Sequence, residues 1–150
     1  MVIYKNISKK VIFLILLNLL IVNLVNAKNL DKQELADRYY DKGCYDIAYF
    51  DQAVELYEEL IRLDPNYKDN YIQIIVIYLE QKNLSKAREW IDKYYKVSND
   101  KSLYYGFLGY YFFFKKNIKE SIVFFNKAIE VNPNLAGIYA GLYFAYMKDG

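Results

Sequence analysis

From about residue 34 onward, apolar side chains recur every three or four positions, the spacing that gathers them on one face of an α-helix. Ala53, Val54, Tyr57, Leu60 and Ile61 form one such face, and Ile118, Ile122, Phe125 and Ile129 form another. Turn-forming residues punctuate these stretches near Tyr49, Asn83 and Asn117, with stronger breaks at Asp64-Pro65-Asn66, Ser98-Asn99-Asp100 and Asn132-Pro133-Asn134. Proline cannot continue a helix, and Asn, Asp and Ser bring side-chain acceptors to the turning backbone, so each break ends one helix and prepares the next. The pattern predicts an all-α chain of short helices. Its beginning differs: Lys5, Lys9 and Lys10 lead into a run over 11–25 that is apolar except for Asn18 and Asn23.

Pro65 and Pro133 lie 68 residues apart, and a shift of half that distance superposes the chain on itself. Ala53, Ala87 and Ser121 then share a column, as do Phe50, Leu84 and Ile118, and Tyr57, Ile91 and Phe125. Tyr71, Tyr105 and Tyr139 make another, and Tyr40, Ile74, Leu108 and Leu142 a fifth, all without an insertion. A 34-residue period with a small residue opening each second helix, and Ala128 near the end of the last, resembles the tetratricopeptide repeat family. That resemblance implies a right-handed superhelical array of antiparallel helix hairpins, an α-solenoid of about seven helices after the N-terminal segment. Complete repeats are expected over 34–67, 68–101 and 102–135, and a partial fourth over 136–150. The family's small residue in the middle of the first helix is matched by Gly109 alone, with Asp41, Ile75 and Tyr143 in that column elsewhere, a departure expected to weaken single repeats. Asn99 stands where the other repeats carry the closing proline.

A positive leader followed by a fifteen-residue apolar core and the small residues Val25 and Ala27 predicts a signal peptide over 1–27, cleaved after Ala27, with 28–33 as a short lead-in. A bilayer span takes about twenty apolar residues, so a permanent signal-anchor is the alternative reading. Either way the array is expected to leave the cytoplasm, to periplasm or exterior in a bacterium, cut free or membrane-tethered. No cysteine follows the apolar core as lipidation would need, since Cys44 lies well downstream.

Charge and chemistry narrow the function. The formal net charge is +2, but three of the 20 basic residues precede position 28 and no acidic ones do, so the remainder is slightly acidic. No Lys/Arg stripe interleaved with aromatics follows a phosphate backbone, so nucleic acid is not expected as a partner. The chain has no histidine, which removes the commonest general base at neutral pH and the commonest metal ligand. Asp37, Asp41 and Asp46, like Glu55, Glu58 and Glu59, lack a glycine-kinked calcium loop and read as solvated helix faces. Cys44 reads as a buried, inert thiol in a first-helix packing column, or else as one half of an intermolecular disulfide. No cofactor or metal is expected, and enzyme is the weakest of the functional classes.

The resemblance also implies where a partner sits. In the family, certain first-helix positions line a concave groove; here they are Leu35, Arg38, Lys42 and Tyr45, then Asp69, Ile72, Val76, Leu79 and Glu80, then Leu103, Gly106, Tyr110, Phe113 and Phe114. A clamp for a C-terminal carboxylate does not fit, because its later basic positions fall on Leu103 and Phe107. An apolar or aromatic peptide segment, with Arg38 and Lys42 as a charged rim, matches better. Tyr110, Phe113 and Phe114 have an alternative use in packing on neighbouring helices. The last helix, over 136–148, carries Ile138, Leu142 and Phe144 on what is expected to be an unfinished interface, with Gly137 and Gly141 allowing a close approach. An interaction scaffold is therefore the leading functional reading, and a self-associating structural repeat, or a truncated part of a longer array, the second.

Overall fold

One amphipathic helix cannot hide its apolar face alone, and two joined by a tight turn hide only part of it, so such hairpins stack. The computed structural model describes residues 9–149, with side chains from residue 14. Lys5, in the leader, lies outside the described residues. Among those described there are seven helices and no strand: α1 (Lys9–Gly43), α2 (Ala48–Leu63), α3 (Lys68–Glu80), α4 (Leu84–Ser98), α5 (Lys101–Phe114), α6 (Ile118–Val131) and α7 (Ala136–Asp149). Each helix packs on the next, and α5 also touches α3 and α7. The first helices of the second, third and fourth hairpins, α3, α5 and α7, thus stand side by side as an inner wall.

The 34-residue columns are packing positions. Ala53, Ala87 and Ser121 are fully buried where each second helix crosses its partner, and Tyr57, Ile91 and Phe125 are fully buried one turn later. Ser121 keeps its hydroxyl satisfied by donating to the Gly109 carbonyl at 2.9 Å. Gly109 leaves room for a ring: a Cβ there would stand 2.4 Å from Phe125 Cδ1. One repeat earlier the same two positions hold Ile75 and Ile91, both fully buried. A glycine with a phenylalanine is thus exchanged for two isoleucines, and the branched side chain at 75 is accommodated by a smaller partner at 91 than the ring at 125.

The breaks work through side-chain acceptors. Asp64 and Asn132, 68 residues apart, each accept the backbone N–H two residues on, from Asn66 and Asn134, at 3.0 Å. The second break lacks proline and uses a left-handed Asn99 (φ 51°) instead, followed by Asp100, whose carboxylate caps α5 by accepting from Ser102 N, Leu103 N and Ser102 Oγ. The first turn lies earlier than expected, at residues 44–47, with Tyr49 already inside α2. Asp46 Oδ1 accepts the Ala48 N–H at 3.1 Å and starts the helix two residues ahead of its counterparts. Cys44 is consequently in the turn and exposed, not in a packing column.

Helix α1 runs through Ala27 and the 28–33 lead-in without a turn. Its stretch Leu14–Gly43 is long and apolar enough to cross a membrane by length and composition. Side chains from Leu14 to Val25 are exposed, and attachment to the array begins further on: Lys32 pairs with Glu59, Ala36 is fully buried, and Asp37 accepts the Tyr57 hydroxyl at 2.7 Å. Burial and that bond to Asp37 push the Tyr57 phenol far above its usual range.

Candidate functional site

The inner wall carries adjoining apolar recesses in the second and third repeats. Val76, Leu79 and Glu80 on α3 and Phe107, Tyr110 and Phe114 on α5 enclose a pocket of about 320 Å³. The helical spacing of 76, 79 and 80 and of 107, 110 and 114 brings each trio onto one face, which is why two helices suffice to build it. Toward the C-terminus, Ile72, Leu103, Phe107 and Tyr110 join the α6–α7 turn around a second recess of about 330 Å³. On the other side Phe113, Phe114 and Ile118 floor a third of about 470 Å³, rimmed by Lys82, Lys116 and Lys148. Tyr110 and Phe107 are shared between the first two, and Phe114 between the first and third.

Several of these side chains serve the core and the groove at once. Tyr110 stands edge-on to Phe125 with ring centroids 4.9 Å apart, and its hydroxyl donates to the Gly137 carbonyl at 2.6 Å. Burial raises its pKa. One edge is thereby fixed by packing while another lines the recess, so both uses expected of Tyr110 coexist. Glu80 is exposed at the rim, and burial against the apolar wall still raises its carboxyl pKa. Tyr40 on α1 is pushed up to about 12, first by burial and then by the charges of Glu80, Cys44 and Asp41.

Family models described as tetratricopeptide repeat match residues 50–109 and 103–135, together more than half of the chain. The chain belongs to the tetratricopeptide repeat family. Among solved structures, the first tetratricopeptide repeat domain of human RPAP3 is similar over 80% of this chain and 91% of its own, at 17% identity and a TM-score of 0.65. The second such domain of human RPAP3, in complex with the HSP70 peptide SGPTIEEVD, is similar over 81% of this chain and 97% of its own, at 13% identity and a TM-score of 0.63. The tetratricopeptide repeat domain of Sgt2 from Aspergillus fumigatus covers 75% of this chain and 78% of its own, at 20% identity and a TM-score of 0.56. At these identities the likeness is one of fold. No curated protein matches the sequence.

Within the repeat array, most of the groove positions expected in the second and third repeats come together: Ile72, Val76, Leu79, Tyr110, Phe113 and Phe114 line the three adjoining recesses, whereas Asp69 lines none of them and Gly106 is buried beneath Ile138. Those of the first repeat do not. Arg38 is drawn to Glu34 one turn back at 3.6 Å, and Lys42 lies over the Tyr39 and Tyr49 rings at 5.8 and 5.4 Å. Tyr45 projects from the first turn with 96% of its surface exposed. No basic rim from Arg38 and Lys42 borders the apolar recesses.

The expected end interface is also revised. Ile138 is buried, its Cδ1 filling the space a Cβ at Gly106 would need. Leu142 is half-buried against the Phe125 cluster, and Gly141 closes on Phe125 and Tyr110 of the same chain rather than waiting for another backbone. Phe144 remains exposed, with Tyr143 and Met147 beside it in sequence order. The recesses also use residues outside the expected groove set: Phe107, which stands at an uncharged clamp position, and the lysines at 82 and 116. Those two are one period apart, both in the left-handed region at φ 55° and 63°, so the column itself was the available signal.

Proposed function

We propose that this chain is an exported interaction scaffold that holds an apolar or aromatic segment of another protein along the inner wall of its repeats, rather than a catalyst. The observation carrying this is the run of adjoining recesses built by α3 and α5, whose walls are aromatic and aliphatic and whose positions were set by the repeat register. Solved relatives of the fold hold peptides, as the RPAP3 domain does with SGPTIEEVD, which supports a peptide as the occupant here. Panning a displayed peptide library on the full chain is expected to enrich sequences sharing an aromatic or branched apolar residue. Their binding should weaken by about tenfold or more in Phe114→Ala, the loss typical of a truncated anchor contact. Binding that survives Phe114→Ala and Val76→Ala unchanged would place the partner elsewhere.

The exposed Tyr143, Phe144 and Met147 favour a second reading, association of copies through α7. For export, the apolar stretch of α1 that makes no buried contact with the array supports a segment the fold does not need. N-terminal sequencing of protein from the native host should begin at Lys28; a membrane-bound chain beginning at Met1 would instead establish the tether.

A further inference from the structure

Glu80 faces a wall that does not suit it. Its neighbours in the recess are Val76, Leu79, Phe107, Tyr110 and Phe114, and no lysine or arginine among the described residues pairs with it. Burial raises its pKa with no opposing cation to lower it. A purely apolar occupant of this recess would strip more water from the carboxylate and give nothing back. A cationic side chain offers what both halves of the site lack: a hydrocarbon stem for the aliphatic and aromatic walls, and a charged head for the carboxylate and the ring faces.

The chain shows the same arrangement completed elsewhere on its own surface. Lys93 Nζ lies 4.0 Å from the centroid of the Trp90 ring and 2.6 Å from Glu89 Oε1, a cation held between a ring face and a carboxylate. In the groove the rings and the carboxylate are present and the cation is not. We infer that the recess at Glu80 takes an arginine or lysine side chain of the bound segment, next to the apolar residue that fills the adjoining recess at Ile72 and Leu103. Arginine fits best, since its flat guanidinium can lie on Tyr110 or Phe114 while donating to Glu80.

This rests on the groove reading above, and the experiment separates the two. The probe is a positional-scanning library of capped decapeptides, fixed at each position in turn to Arg, Lys, Leu, Phe or Glu, and measured for capture of the full chain. Arg and Lys sub-libraries should exceed Leu by about fivefold at one position close to the Phe preference. Glu80→Gln keeps the shape and should abolish that advantage, leaving Arg equal to Leu, while the Phe preference persists. Capture that falls with Phe114→Ala but shows no Arg advantage, an Arg advantage untouched by Glu80→Gln, or a preference for Glu would overturn the cationic pocket and leave the groove standing. A library indifferent to Phe114→Ala would remove both.

Discussion

Replacing Phe125 with alanine should destabilise the array by about 3–5 kcal/mol, the cost of emptying a fully buried ring site. Phe125 is fully buried and sits at the meeting of three helices: Gly109 on α5 and Gly141 on α7 both leave the space its ring occupies, and Tyr110 stands edge-on to it. Because stability in repeat arrays is close to a sum of nearest-neighbour terms, the loss should fall on α5, α6 and α7 first. Denaturant unfolding measures the size, and amide exchange shows the location. Gly109→Ala gives the complementary test. Its Cβ would lie 2.4 Å from Phe125 Cδ1, so the substitution should destabilise the wild-type chain and do so much less in the Phe125→Ala background. Equal costs in both backgrounds would show that the glycine and the ring are not in contact.

Ala87→Leu should cost about 1–3 kcal/mol by overpacking the crossing of α3 and α4. Ala87 is fully buried, as are Ala53 and Ser121 at the equivalent crossings, so three additional carbons have nowhere to go without separating the helices. The comparison is an exposed lysine, Lys119, where Lys119→Gln should change stability by less than about 0.5 kcal/mol. The lysine next in sequence is unsuitable as a control, because Lys86 lies over the Tyr78 ring at 5.1 Å and its Nζ is 3.3 Å from that hydroxyl. Equal unfolding midpoints for Ala87→Leu and Lys119→Gln would contradict the repeat register.

That register was legible in the sequence because a repeat writes each packing contact several times. Ala53, Ala87 and Ser121 announce the crossing together, and the loss of proline at Asn99 does no harm where the left-handed backbone and the Asp100 cap replace it. The first turn was less legible, since it depends on Asp46 starting α2 early, a local hydrogen bond outside the period, and Cys44 moved to the surface with it. In the groove, the second and third repeats followed the family positions, whereas Arg38 and Lys42 are held by Glu34 and by the Tyr39 and Tyr49 rings. Glu80 falls on a groove position in the sequence, but its aromatic neighbours from another repeat and the lack of a paired cation among the described residues are properties of the folded chain.

The claim that the inner wall holds the partner is tested most directly by amide hydrogen exchange of the full chain with and without a saturating peptide recovered from the library. Protection should rise over α3 from Ile72 to Glu80 and over α5 from Leu103 to Phe114, with the outer faces of α2, α4 and α6 unchanged. Protection confined to α7 around Tyr143 to Met147, or to those outer faces, would contradict it.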